Sequence, residues 1–273
     1  MQVTTHLRKM SSRLDGQNVQ YFLPLVNITE RKGELALNPL IGENIKLRFT
    51  GQIHCIATGK KIKKTFGEGL SYEAFMTSPL ASPSIVRPEL SRIHEGIALR
   101  DFDWENEHHN QPHYVYLSRT SEVKVGVTRT TNIPYRWIDQ GASEAIIIAE
   151  TPYRQLAGLI EVHLKDHFAD KTNWQAMLKN VVNDQRSLLD LKEEALQLMG
   201  SDYESFIYEN DDVTHLHYPI EHYPLKVKSI KLDTLPDYEG RLRGIKGQYL
   251  YFDDGLVLNV RSHAGYEIQL EAE

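Results

Sequence analysis

Histidines are the residues of this chain whose types and spacing first suggest metal chemistry. The sequence has 12 histidines, and His163 and His167 lie one helical turn apart, close to Glu161. This order differs from the His-Glu-x-x-His motif of zinc proteases, and the clusters at 108–109 and 215–217 have no evident third ligand. We therefore expect the histidines to be ordinary surface or interior residues rather than metal ligands.

A run of lysines could bind phosphate. Lys60, Lys61, Lys63 and Lys64 stand next to Phe66. The run is either a contact edge for nucleic acid or simply the solvated face of a strand. The whole chain has 31 basic and 37 acidic residues, a net charge of −6, so any nucleic-acid partner has to be held by a local patch.

The chain has a single cysteine, Cys55. One cysteine excludes an intramolecular disulfide and a four-cysteine zinc site. Cys55 is in phase with the apolar side chains of an alternating segment, 44–56. We therefore predict a buried structural thiol rather than a nucleophile.

The sequence shows no membrane or secretion signal. No apolar segment follows residues 1–6, and the longest continuous apolar run, 145–149, is far too short to span a membrane. These features predict a cytoplasmic protein with no membrane partner, and they leave the oligomeric state open.

Hydrophobic patterning predicts an α+β protein in three stretches, 1–108, 109–200 and 201–273. The first is rich in strands. The last alternates again, with a hairpin turn at 253–255 and a strand candidate at 225–232, and it predicts a small curved sheet or barrel. We expect the N-terminal strands to share that sheet, which would bring the two chain ends together.

The middle stretch is mixed. Two short strands are followed by a helix capped by Asn132, a buried strand, a helix capped by Thr151, and a helical stretch from about 174 to 199 that is interrupted near 183–184. The apolar stripe of the second helix consists of Leu156, Leu159, Ile160 and Leu164.

Sequence motifs accompany this ββαβαα order. Tyr114-Val115-Tyr116 and Lys124-Val125-Gly126-Val127-Thr128 lie on the two strands, and Arg136, Glu161 and Asn173 lie on or just before the following helices. In element order and in these residues, the segment from about 114 to 179 resembles a GIY-YIG nuclease module. Tyr114 and Lys124 depart from the family pattern, because glycine and tyrosine are usual there.

The resemblance implies metal-dependent hydrolysis of a phosphodiester in DNA or RNA. It implies that Tyr116 helps to deprotonate a water, that Glu161 binds Mg²⁺ or Mn²⁺, and that Arg136 stabilises the transition state. Lys124, which replaces a tyrosine, would hold phosphate. Gly126, Thr128 and Asn173 would support the site, and a nucleic-acid surface would comprise Lys124, Arg129, Arg136 and the four lysines near Phe66.

Longer sequence segments, distributed along the chain, are similar to those of a bacterial family of unknown function. They are 124–129, 136–142, 170–174, 244–250 and 259–266. Other members of that family carry a cysteine-rich N-terminal segment, which implies a degenerate zinc ribbon here. The zinc-binding cysteines of other members would be replaced here by Thr58, Ser71, Ala74, Ala81 and Ser84. We expect no structural zinc, and we expect packing of Phe66, Tyr72, Phe75 and Ile85 to hold these hairpins.

Three functions stay open at this point. The first is a metal-dependent nuclease, the second a non-catalytic nucleic-acid-binding protein, and the third a protein-interaction module with a degenerate nuclease fold. Each key residue also has a purely structural alternative. Tyr116 could be a sheet tyrosine with a solvated hydroxyl, Glu161 a surface acid, and Arg136 a partner of Asp139 or Glu144.

Overall fold

The computed structural model describes residues 1–168 and 173–272. Residues 169–172, which include Asp170, Lys171 and Thr172 of the family string, lie outside the described residues, as does residue 273. The chain divides in space into residues 1–76 with 217–273, here the terminal unit, and residues 77–216, the central unit. The stretches 1–108, 109–200 and 201–273 are a division along the sequence only.

The structure contains both strands and helices, and the α+β prediction is confirmed. The first part has β1 (Gln2–His6), β2 (Ser11–Asp15), β3 (Asn18–Asn27), β4 (Glu30–Ala36), β5 (Asn44–His54), β6 (Lys61–Ile62) and α1 (Tyr72–Thr77). The middle has α2 (Pro83–Val86), α3 (Phe102–His109), β7 (His113–Arg119), β8 (Val123–Arg129), α4 (Tyr135–Asp139), β9 (Glu144–Thr151), α5 (Arg154–Leu164), α6 (Trp174–Leu178), α7 (Leu188–Met199) and β10 (Thr214–His215). The last part has β11 (Lys228–Ser229), β12 (Asp237–Lys246), β13 (Tyr249–Phe252), β14 (Leu256–Asn259) and β15 (Tyr266–Ala272).

In the terminal unit the two ends of the chain share one sheet. Its strand order is β1-β15-β5-β12-β13-β14-β11, with β6 on β5, while β2, β3 and β4 form a separate sheet. The expectation that the N-terminal strands share the C-terminal sheet is confirmed. No sheet of the described residues closes on itself, so the barrel alternative is wrong. Of the strand candidate 225–232, only β11 forms.

Cys55 is fully buried, as predicted. The backbone N–H of Ser71 donates to its sulfur at 3.2 Å, and the N–H of Ala74 donates to the Ser71 hydroxyl at 3.1 Å. Burial alone would raise the pKa of Cys55, but hydrogen bonds from Thr58 and Ser71 outweigh it and lower that pKa to about 7. The positions Cys55, Thr58, Ser71 and Ala74 are thus neighbours in space.

Aromatic packing holds the adjacent hairpin. The ring of Phe66 lies 5.2 Å from that of Tyr72 and 6.4 Å from that of Phe75, measured between centroids. Ile85 was expected in this cluster, but it belongs to the central unit and is 39% exposed. Its place in the sequence beside small residues did not reveal that it belongs to the other unit.

The sheet of the central unit has the order β10-β9-β7-β8, so β7 is an inner strand, antiparallel to both β8 and β9. One face carries Val115 and Leu117 of β7 with Val125 and Val127 of β8, and α5 and α7 cover it. The predicted ββαβαα order and the interruption between α6 and α7 are confirmed. No helix among the described residues is long and apolar enough to cross a membrane.

Two helices begin later than the sequence indicates. α4 begins at Tyr135, and Asn132, instead of capping it, donates to the hydroxyl of Thr128 at 3.1 Å. α5 begins at Arg154 because Thr151 is still paired in the sheet and cannot cap a helix.

The apolar face of α5 is also rotated from the predicted stripe. Ala157, Ile160 and Leu164 are fully buried, whereas Leu159 is 43% exposed. Ala157 supplies the missing position because its spacing of three to Ile160 continues the buried face. Because of this rotation, the polar residues of α5 lie along the edge of the buried face that is opposite Leu159.

Candidate functional site

Tyr116 and Gly126 form the centre of the candidate site. They lie directly opposite each other on β7 and β8. The Tyr116 side chain occupies the space over Gly126, since a Cβ at that glycine would lie 2.6 Å from the tyrosine hydroxyl. Any larger residue at position 126 would therefore displace Tyr116, which is fully buried.

Helix α4 supplies the partners of the Tyr116 hydroxyl. The Gln140 amide is oriented so that its carbonyl oxygen accepts from the Tyr116 hydroxyl at 3.0 Å and from Arg136 Nε at 2.9 Å and Nη2 at 3.1 Å. Gln140 thus bridges Arg136 and the Tyr116 hydroxyl, and the charge of Arg136 acts to lower the pKa of Tyr116. Tyr116 is therefore not a sheet tyrosine with a solvated hydroxyl. Arg136 does not pair with Glu144, which Arg119 engages at 2.6 Å, but the charge of Asp139, the other expected partner, does act on it.

Polar residues form a single stripe on α5. Arg154, Gly158, Glu161 and Lys165 follow one another at spacings of four, three and four, so they share a helix face. The Glu161 side chain is only 12% exposed, and its Oε2 lies 3.7 Å from Lys165 Nζ. Glu161 is therefore not a solvated surface acid.

Gly158 lets the backbone of Glu89 pack closely against α5. A Cβ at Gly158 would lie 2.3 Å from the backbone nitrogen of Glu89, in the short helical turn 88–90. Gln155 holds this turn by donating to the Glu89 carbonyl at 3.2 Å. Sequence reasoning missed Glu89, because 72 residues separate it from Glu161. The one available signal is a glycine within the polar stripe of a helix.

Two carboxylate oxygens of this pair have unused acceptor capacity. Glu89 Oε2 and Glu161 Oε2 are buried and accept no hydrogen bond, although Glu161 Oε2 lies 3.7 Å from Lys165 Nζ and Glu89 Oε1 accepts from Arg87 Nε at 2.9 Å. Burial raises the pKa of Glu161, and the like charge of Glu89 adds to that rise, while Lys165, Arg154 and Arg136 oppose it. A bound cation would offset the cost of holding both carboxylates ionised.

The donor set fits a hard divalent cation. Mg²⁺ is typically held by one or two carboxylates, with waters and substrate phosphates completing the coordination. Within residues 1–168 and 173–272, no group of three or more His, Cys, Asp or Glu side chains is placed to hold a metal ion. An ion held by Glu89 and Glu161 alone would take the rest of its ligands from water and phosphate.

Other predicted site residues lie at the edges of this centre. Lys124 is buried, two residues from Gly126, and is opposite Ser118. Thr128 accepts the hydrogen bond from Asn132 described above. Asn173 caps α6 by accepting from the N–H of Ala176 at 3.1 Å, so the structure accounts for it as a helix cap.

The four predicted phosphate-binding lysines belong to the terminal unit, whereas Tyr116 and Glu161 belong to the central unit. Lys60 lies 3.5 Å from Glu73, and Lys64 lies over the Phe66 ring at 5.0 Å. The predicted nucleic-acid surface is thus divided between two units. Among the histidines, His163 Nε2 contacts the carbonyl of Leu198 at 2.8 Å.

Comparison with known proteins places the chain in a family. The model of a family described as protein of unknown function (DUF2797) matches residues 42–268. The match includes the whole candidate site and begins after β4. Searches of curated proteins and of solved structures find no match to this chain. The similarity to a family of unknown function is thereby confirmed, while the GIY-YIG resemblance and the cysteine-rich segment stay predictions. The chain belongs to the DUF2797 family of proteins of unknown function.

Proposed function

We propose that the central unit is a divalent-cation-dependent phosphodiesterase that acts on DNA or RNA. The observation that carries this proposal is the association of the three residues to which the GIY-YIG resemblance assigns chemistry. Gln140 bridges Arg136 and Tyr116, and the charge of Glu161 acts on both of those side chains. Their positions in the sequence, on β7, α4 and α5, do not by themselves require such an encounter.

Glu161 and Glu89 would hold Mg²⁺ or Mn²⁺ through their unbonded oxygens. When bound, the ion supplies Lewis-acid stabilisation of the negative charge on the phosphate and the leaving oxygen. Arg136, oriented by Gln140, adds a fixed cationic donor for the phosphoryl oxygens. In the hydrolysis, a bond forms between the water oxygen and phosphorus, one P–O ester bond breaks, and the leaving oxygen takes up a proton.

The state of Tyr116 determines the pH dependence. Burial raises the pKa of its hydroxyl, although Arg136 and Gln140 partly oppose this rise. Tyr116 therefore keeps its proton at neutral pH, and it can accept a proton from water only when it is ionised. We expect the cleavage rate to increase with pH above neutrality, and a Tyr116→Phe variant to lose that increase.

The test is a cleavage assay on mixed DNA and RNA substrates with Mg²⁺ or Mn²⁺. We expect Glu161→Gln to reduce the rate by at least about 100-fold, because it removes a charged cation ligand. Glu193→Gln is the matched control, since Glu193 is exposed on α7, and it should cleave normally. Equal rates for the two variants would contradict the proposal.

A non-catalytic nucleic-acid-binding protein is the second candidate. It is favoured by the full burial of Tyr116 and by Lys124 at a position where the resembled family has tyrosine. Salt-sensitive binding without cleavage under any metal condition would support it. Absence of binding at low salt would overturn both candidates and leave the protein-interaction alternative.

A further inference from the structure

A second group of cations lies at one end of the sheet in the central unit. Arg129 ends β8 opposite His113, which begins β7, and His113 is also paired with Thr151 at the end of β9. Arg154 follows as the first residue of α5. Four chain segments therefore bring two arginines to the same end of the sheet.

The guanidinium of Arg154 is held rigidly and without a carboxylate partner. Its Nε donates to the carbonyl of Ser84 at 2.9 Å and its Nη2 to the carbonyl of Ile85 at 3.0 Å. In the part of the chain that the structure describes, neither Arg154 nor Arg129 forms an ion pair within 4.0 Å. These two bonds fix the guanidinium plane, and its remaining N–H donors are the ones that could bind phosphate.

Electrostatics at this end of the sheet favour an anion. Burial lowers the pKa of Arg154 to about 10, the positive charges of Arg136 and Arg129 contribute, and the negative charges of Glu161 and Glu89 oppose them. Burial also lowers the pKa of His109 and His113 to about 3, so both are neutral and add no charge. A bound phosphate would relieve the repulsion between the arginines.

We propose that Arg154 and Arg129 bind a second phosphate of the substrate, next to the phosphate at Glu161 and Arg136. This inference rests on the proposed function. Arg154 and Glu161 are seven residues apart on α5, which corresponds to about 10 Å along the helix axis. The preferred substrate is therefore a chain of two or more phosphodiesters rather than a single isolated phosphodiester.

The test measures binding of a 12-nucleotide single-stranded DNA in EDTA, as a function of NaCl concentration. Loss of one phosphate contact lowers the slope of log K against log salt by about 0.7. We expect that reduction for Arg154→Gln and for Arg129→Gln, with little change between pH 6 and pH 8. Arg186→Gln is the control, since Arg186 pairs with Glu194 on the surface of the same unit.

Unchanged slopes for both variants would overturn the proposal. Arg129→Gln keeps the test valid if loss of the Arg154 hydrogen bonds unfolds the turn at 84–85. Cleavage assays on the same proteins separate the two proposals. Cleavage with unaltered KM in Arg154→Gln would remove the second phosphate site and keep the phosphodiesterase. If the unmodified protein binds DNA in a way that depends on Arg154 but does not cleave it, the second phosphate site is kept and the phosphodiesterase is removed.

Discussion

The terminal and central units accommodate their charged side chains differently. In the terminal unit, exposed strands carry surface pairs such as Arg48 with Asp237 at 2.8 Å. Its fully buried lysine, Lys246, lies 5.2 and 5.1 Å from the rings of Tyr218 and Tyr223. In the central unit, Glu89 and Glu161 retain buried oxygens that accept no hydrogen bond.

The central unit therefore holds two buried carboxylates whose hydrogen-bonding capacity is not fully used, although Lys165 and Arg87 pair with them. Surface pairs contribute little to stability, and a lysine among aromatic rings gains cation–π stabilisation within the fold. Buried carboxylate oxygens without hydrogen bonds are costly, and such costs concentrate at functional sites. The predictions below test whether the two units differ in this way.

The largest effect is expected for Gly158→Ala. The new Cβ would lie 2.3 Å from the Glu89 nitrogen, and overpacking against backbone should cost about 2–3 kcal/mol in the free energy of unfolding. Gly33→Ala in the terminal unit is the matched control, because nothing lies within 4 Å of its Cβ position. Chemical denaturation measures both. Equal stabilities of the two variants would show that the close packing of Gly158 against Glu89 does not contribute to the free energy of unfolding.

The next effect concerns Lys246 and pH. Burial lowers its pKa to about 8 from 10.5, so between these values the unfolded chain binds the proton more tightly. Stability of the protein should therefore rise from pH 8 to pH 10, by an amount on the order of 2 kcal/mol. Lys246→Met should remove that rise. A variant that follows the same pH curve would show that Lys246 is not a buried cation.

A smaller effect of opposite sign is expected for Glu161. Its pKa is raised in the folded state, so its contribution favours folding below the unfolded pKa and is lost as pH rises. Glu161→Gln should match the unmodified protein near pH 4 and exceed it in stability at pH 7. Thermal unfolding at both pH values measures this. Added Mg²⁺ should then stabilise the unmodified protein and not the variant.

The smallest effect is expected for Arg48→Gln, which breaks an exposed pair in the terminal unit. The unfolding midpoint should not change measurably, and it should be insensitive to salt, because solvent screens such pairs. A clear loss of stability would mean that surface pairs matter to the terminal unit, and the contrast between the units would then be weaker.

Periodicity and motif order predicted much of the fold. Alternation over 44–56 located β5, and the element order located β7, β8, α4 and β9, because strands and short helices are local patterns. The resemblance to a GIY-YIG module, rather than periodicity, selected Tyr116, Arg136 and Glu161. Those patterns could not reveal Glu89 or Gln140, whose importance arises only when separate segments meet. Nor could they show that Lys60 to Lys64 and Tyr116 belong to different units, since that separation depends on which strands pair.

The shared sheet of the chain ends has a consequence for synthesis on the ribosome. β5 pairs with β12 and β15, and Arg48 meets Asp237 189 residues later. By contrast, β7, β8 and β9 all lie between residues 113 and 151. The strands of the central unit can therefore pair while β1 and β5 still lack their C-terminal partner strands. In vivo, the central unit should fold before the sheet of the terminal unit is complete. Until then β1 and β5 expose unpaired strand edges, to which a chaperone would bind.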